Sequence, residues 1–375
     1  MDPSPVTHAQ HGGYSAHTVR LAWILGVAYL LVILYASLQP FLGWRVPPEE
    51  VFHFLFAPWP RFITLQDVAV NFAAYVLLGL LLSVGLGARL GPARGAATAT
   101  LAAALLSLAM ESVQMFLPVR IASNVDFLAN SLGALVGAMA APLLAPSRAL
   151  GARLHAMRHH LFQEGMTADV GFVVVVLWLI TQFHPTAQLF GTGAFRATFD
   201  LPPYIAHTPL LAFGSETVVV VFNLLGVGLL LSALMQGTPR TMTVIGCVVG
   251  AALAVKMFTA VALLQAPAPL AWLTPGVLSG LAAGGVLLLA AIRLPRRAQL
   301  ALAALGIAVA TAAINLAPDN PYQSVPPRLL ARGASHFLSF SGIVRELSEL
   351  WPLLAIGYLV FALGARPEDA RRNPL

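Results

Sequence analysis

Ten stretches of about 20 apolar residues recur along the chain, near 21–41, 67–87, 95–117, 125–146, 168–186, 216–236, 242–265, 271–292, 299–317 and 347–365, separated by polar or proline-rich segments. A helix rising about 1.5 Å per residue needs roughly 20 such positions to cross the hydrocarbon of a bilayer. The pattern therefore predicts an all-α, polytopic transmembrane helix bundle of about ten spans. The first stretch follows a polar, His-rich leader, but it is too long for a signal-peptide core and lacks a small-residue cleavage site, so it reads as an uncleaved first helix.

Composition agrees. With 58% hydrophobic residues, 10% charged residues and a mean hydropathy of +0.80, the chain is an integral membrane protein. Once ten spans are accepted, thirteen arginines, including Arg20, Arg89, Arg148, Arg240, Arg293 and Arg366, fall on one side and seven on the other. The positive-inside bias then places both termini in the cytoplasm. A net charge of +6 raises the question of nucleic acid, but the basic residues are scattered over short loops without stacking aromatics, so no nucleic-acid partner is expected. The single Cys247 excludes an intramolecular disulfide and reads as packing. Trp44, Trp59, Trp272 and Trp351 fall near the predicted outer boundary, where anchoring at the interface is their default role.

Three outer segments, 42–66, 187–215 and 318–346, are long, aromatic and proline-rich, and each follows a similar helix ending. Asn71 pairs with Asn223, Gln114 with Gln265 and Asp126 with Gly276 at offsets of 152, 151 and 150, the mark of a same-orientation internal repeat. The expected organisation is a cytoplasmic leader 1–20, a four-helix membrane unit 21–146, a basic amphipathic linker 147–167, a degenerate second four-helix unit 168–292, and a truncated two-helix third unit with a cytoplasmic tail 293–375. In the second copy Gly276, Gly280 and Gly284 form a close-packing stripe where the first presents Asp126 and Asn130. The linker mixes arginines and His155, His159 and His160 with leucines at helical spacing, which suits the inner leaflet surface.

Three polar strings interrupt consecutive apolar spans: Asp67 with Asn71, Glu111 with Gln114, and Asp126 with Asn130. An ionisable side chain inside a span costs about 2.5–3.5 kcal/mol on insertion scales, so this concentration marks a site. The members of each pair are three or four residues apart and share a helix face. All six are expected within roughly 10 Å of the outer hydrocarbon edge. Arg120 sits at the mouth of the cluster, able to meet either these carboxylates or a ligand phosphate with its planar fork. Three acids facing one arginine make Asp67, Glu111 and Asp126 the candidates for general acid–base or proton chemistry. Lys256 is expected near the middle of span seven, where it needs an acidic partner such as Glu111, a carbonyl partner or a water-filled cavity. Tyr75 either donates a hydrogen bond or fills the core. No metal set, phosphate-cradling glycine loop or cofactor motif stands out.

The string Asp67-x-x-x-Asn71 with its apolar run to Gly79, then Glu111-x-x-Gln114, Arg120, Ser123, Asp126, Asn130, Gly133 and Gly137, resembles the VanZ-like family of bacterial membrane proteins over about residues 60–145. A departure is Ala73–Gly79, which lacks the proline the family tends to place before the glycine. The resemblance implies a bacterial cytoplasmic (inner) membrane protein linked to the cell envelope; the founding member is associated with teicoplanin resistance.

The leading expectation is an outer-leaflet polar pocket, lined by Asp67, Asn71, Glu111, Gln114, Arg120, Ser123, Asp126 and Asn130, that binds or processes an envelope lipid or lipid-linked glycan. Membrane lipids are the expected partners, with no cofactor and no metal. Two readings stay open beside it: a secondary transporter or lipid translocator, and a structural membrane partner without ligand.

Overall fold

The computed structural model describes residues 14–38, 41, 43–47, 50–59, 65–118, 120–184, 187–199, 201–202, 204–237, 239–263, 270–318 and 335–365, without the side chains of 16–17, 65–67, 197–198, 262–263 and 335–343. The described residues are helical, with no strand among them. Eight helices are long and apolar enough to cross a membrane, and two shorter apolar helices, Met166–Thr181 and Pro275–Ala291, occupy the positions of the remaining two expected spans. The chain divides into two compact units, Met1–Arg158 and His159–Leu375.

The first unit contains α1 (Ala16–Leu38), a short α2 (His53–Phe56), α3 (Leu65–Leu90), α4 (Pro92–Gln114) and α5 (Asn124–Ala140), the last continuing into a 3-10 turn. Helices α3 and α4 form a hairpin turned at Gly91, whose φ of +83° only glycine adopts without strain, with Pro92 opening the next helix. Helix α5 packs most extensively on α3, α4 lies against both, and α1 covers α3. The α3–α5 contact is close because it is built on glycine: a Cβ at Gly133 would overlap the Phe72 carbonyl, and one at Gly137 the Val76 carbonyl. Such small-residue seams let backbones approach where lipid gives helices no hydrophobic reason to associate. Tyr75, Leu78, Ala103, Ala134 and Ile33 fill the space between the four helices.

Helix α6 (Ala149–Leu161) comes next, with Leu150, Leu154 and Met157 exposed. In the second unit, α7 (Met166–Thr181), a short α8 (Phe195–Thr198), α9 (Pro209–Leu234), α10 (Thr241–Phe258) with a wide π turn at its end, α11 (Pro275–Ala291), α12 (Arg296–Leu316) and α13 (Ser335–Gly364) surround a central α9. Of the apolar window of α9, 72% is buried, which explains why its sequence is hydrophobic on every face. Helices α11 and α12 flank α9, and α13 bridges α12 and α7. Gly276, Gly280 and Gly284 face α9 against Glu216, Val220 and Leu224, the packing stripe that their spacing predicts.

Several expectations need correction. Trp351 is no interfacial anchor: it is fully buried and donates its indole N–H to the Val174 carbonyl at 2.9 Å. Trp44 and Trp59 are exposed, as anchors would be. Cys247 is exposed on α10 rather than packed inside. Lys256 lies in the last turn of α10, not at the middle of its span, and donates to the carbonyls of His184 (3.1 Å) and Ala187 (2.5 Å), so loop carbonyls are among its partners, one of the alternatives its burial called for. The side chain of Asp67, Gln265 of the repeat pairing and residues 319–334 of the third outer segment lie outside the described residues.

Candidate functional site

Helix α4 ends at Gln114 and α5 begins at Asn124, so the short link between them brings the last turns of α4 to the first turns of α5. Ser123 is the N-cap of α5, its hydroxyl accepting from the backbone N–H of Val125 at 3.2 Å and Asp126 at 3.4 Å. Its own N–H donates to Glu111 Oε2 at 2.9 Å. Glu111 is therefore held at the positive end of α5, where a carboxylate is stabilised by the helix dipole and by amide donors. It is 4% exposed and Asp126 is 7% exposed, two buried acids close enough to repel each other.

Moving one turn inward from each acid, Asn130 on α5 donates from Nδ2 to Ser107 Oγ on α4 at 2.9 Å. Ser107 also hydrogen-bonds the hydroxyl of Tyr75 on α3, which feels the Glu111 charge. Ser107 and Glu111 are four apart, as are Asn130 and Asp126, so α4 and α5 present matching faces. The result is one buried polar string, Asp126, Glu111, Tyr75, Ser107 and Asn130, contributed by three helices. Its surplus is in acceptors: Asn130 Oδ1 and, at the rim, Asn124 Oδ1 are buried without a partner, beside two carboxylates. Asn71 lies one turn from Tyr75 on α3 and is half-buried.

Gln114 and Arg120 also reach α1. Gln114 Nε2 donates to the Ser37 carbonyl at 3.0 Å and Arg120 Nη2 to the Ala36 carbonyl at 2.7 Å, so both grip the last turn of α1. These carbonyls have no intrahelical donor, and a cation there also complements the helix dipole. Burial draws the Arg120 pKa down from its ordinary value, and the nearby Glu111 carboxylate opposes that shift. Asn124 Nδ2 donates to the Ala57 carbonyl at 2.8 Å and fastens the end of α2 over the same region.

Ser107 is a member of the string that the polar pattern alone does not single out; its position one turn before Glu111 is the only signal the sequence carries for it. Three buried acids of the second unit, Asp169, Glu216 and Glu349, likewise fall outside the sequence expectations. Asp169 is fully buried in the first turn of α7, and Glu216 on α9 accepts from Thr274 Oγ1, the N-cap side chain of α11. Among the described residues no group of three His, Cys, Asp or Glu could hold a metal ion.

Fold and site together define a multi-pass membrane helix bundle whose first unit carries a buried acid–amide string at one end of three helices. Residues 14–145 match the VanZ/LLP1 family profile, and this part of the chain is similar to that family. The match takes in α1, which agrees with the use of Gln114 and Arg120 to hold that helix. No curated protein and no solved structure matches the chain.

Proposed function

We propose that the first unit binds the polar head of an envelope amphiphile at the end of α3, α4 and α5, and that its chemical class is a lipid-linked glycan. The observation that supports this most is Asn130, buried and donating to Ser107 while its oxygen has no partner, next to Glu111 and Asp126. A cluster rich in acceptors calls for a ligand rich in donors, and sugar hydroxyls or amino groups supply them. Arg120 at the rim suits the linking phosphate of such a lipid. Interhelical polar contacts average only about 0.6 kcal/mol in double-mutant cycles, so packing alone is a weak reason to bury two acids here. On the arginine distribution this end faces the periplasm.

The test is to purify the full chain in mild detergent and identify retained lipids by mass spectrometry, alongside Asp126→Asn and Asn130→Ala. One glycolipid class held in near-stoichiometric amount by the unaltered protein and depleted in both variants, at unchanged yield, supports the reading. Identical lipid content in all three proteins overturns it and returns these residues to helix packing. The physiological form we propose is a contribution to glycopeptide resistance, checked separately by teicoplanin inhibitory concentrations in cells carrying the unaltered protein or Asp126→Asn.

A further inference from the structure

The second unit contains an open cavity of about 980 Å³ where the ends of α9, α10, α11 and α12 meet, lined among others by Gln163, Gln236, Thr241, Arg293, Arg296 and Gln299. Its size falls at the upper end of small-ligand sites. The charge around it is one-sided. Arg293 and Arg296 line it, Arg297 follows Arg296 in sequence and Arg240 precedes the lining residue Thr241, and no Asp or Glu occurs between Glu216 and Asp319. Glu164, beside Gln163, is paired with His159 at 3.4 Å.

The walls are fixed by their own hydrogen bonds. Arg296 Nε donates to the Ala233 carbonyl at 3.1 Å, which orients its guanidinium at the end of α9. Gln299 Nε2 donates to the carbonyls of Ile292 (2.7 Å) and Leu294 (2.9 Å), pinning the loop that carries Arg293. The negative ends of α9 and α11 are thus neutralised from within. Two further helices, α10 and α12, start at the cavity with Thr241 and Arg296, and neither has a side-chain cap. Arg293 has no partner among the described residues.

We infer that this cavity is a second ligand site, independent of the first unit, for a phosphate-bearing anion held by Arg293, Arg296 and the first-turn amides of α10 and α12. A guanidinium fork matches phosphate oxygens in a way a carboxylate-free, amide-lined wall does not oppose, and helix N-termini add donors of the same sign. The arginine-rich face is the expected cytoplasmic one, so the phosphate can belong to an anionic phospholipid of the inner leaflet or to a soluble phosphate compound.

The full chain is reconstituted in phosphatidylcholine nanodiscs and titrated with inorganic pyrophosphate in one arm and doped with phosphatidylglycerol in the other, read by calorimetry and native mass spectrometry respectively. Arg293→Gln, at an exposed and unpartnered position, keeps the fold; Arg293→Gln/Arg296→Gln removes both guanidinia; Arg89→Gln/Arg94→Gln removes two arginines of the same expected side from the first unit. Saturable binding in either arm that weakens about tenfold in the single variant, further in the double, and stays unchanged in the Arg89/Arg94 control establishes the site. The responding arm names the source. No saturable binding in either arm, or equal weakening in the control, overturns the proposal.

Discussion

Asn130 and Ser107 share one buried hydrogen bond of 2.9 Å, so deleting either side chain removes the same contact but leaves different remainders. Ser107→Ala leaves the Asn130 amide with neither end paired and takes a partner from Tyr75. An unpaired buried polar group costs about 1–3 kcal/mol, and the interhelical bond itself is worth about 0.6 kcal/mol, so a loss of about 2 kcal/mol is expected. Asn130→Ala loses the same 0.6 kcal/mol, roughly, and opens a void of roughly 25 Å³ worth roughly 0.6 kcal/mol. It also removes an amide oxygen buried without a partner, which offsets these losses by about 1–3 kcal/mol. Ser107 meanwhile keeps Tyr75. Asn130→Ala is therefore expected to be neutral or slightly stabilising, and milder than Ser107→Ala by about 2 kcal/mol. Equilibrium unfolding of the two variants in mixed dodecyl maltoside and SDS micelles measures this difference. If Asn130→Ala proves as damaging as Ser107→Ala, the Asn130 oxygen is already satisfied in the ligand-free protein, and the acceptor surplus that motivates glycan binding is lost.

Gly137→Val should separate α3 from α5 at the Val76 carbonyl and cost at least about 2 kcal/mol, whereas Gly246→Ala, with nothing within 4 Å of its Cβ position, should be silent; equal monodispersity of both variants on size exclusion would contradict the packing. Brominated lipids should quench Trp44 and Trp59 and leave Trp351 bright, read from single-tryptophan variants; strong quenching of Trp351 would place it at the lipid boundary after all. His184 is buried near Lys256 and Arg345, and burial first, those cations second, hold its pKa down from 6.5 to about 3. The folded protein keeps it neutral while the unfolded chain protonates near 6.5. Stability of the second unit is then complete above about pH 6.5 and falls as pH drops toward 3, by up to about 1.4 kcal/mol per pH unit, or about 2 kcal/mol by pH 5. His184→Gln should flatten the melting-temperature slope between pH 6.5 and 5, and an unchanged slope would assign it to other groups.

Hydropathy made the apolar helices legible because eight of those described satisfy a length and composition rule set by the bilayer, and two shorter ones share the composition. Helix ends were less legible: α7 stops at Thr181, short of the apolar run that suggested 186, and the carbonyls of His184 and Ala187 beyond it accept from Lys256, while α10 passes into a π turn after Phe258. Asp126, Glu111 and Asn130 stood out as polar residues in apolar surroundings, and the structure brings them together. Gln114 and Arg120 stood out equally, and they also hold α1, a contact that their spacing does not foretell because nothing in it says that the carbonyls of Ala36 and Ser37 need donors at that level. Ser107 was hidden by its size and neutrality, and Trp351 by a positional rule about aromatic belts that a buried carbonyl partner overrode.

The two units use the same local device to start an inward helix, and the difference between them bears on which carries chemistry. In the first, Glu111 from α4 meets the cap residue Ser123 of α5; in the second, Glu216 from α9 meets the cap residue Thr274 of α11. A carboxylate at a helix N-terminus is worth about 0.3–2 kcal/mol, so this acid alone is accounted for by helix stability in either unit. The first turns beyond the caps are unlike. Helix α11 continues with Gly276 and Gly280 packed on α9, leaving no side chain between the helices, whereas α5 continues with Asp126 and Asn130, a second acid and an amide that the cap does not need. The stabilising device is thus separable from the acceptor cluster. Asp126→Gly/Asn130→Gly in the first unit would keep the device and delete the cluster, so folding with loss of the glycolipid is the outcome that assigns binding to those two residues. Failure to fold would show that α5, unlike α11, depends on them for its packing.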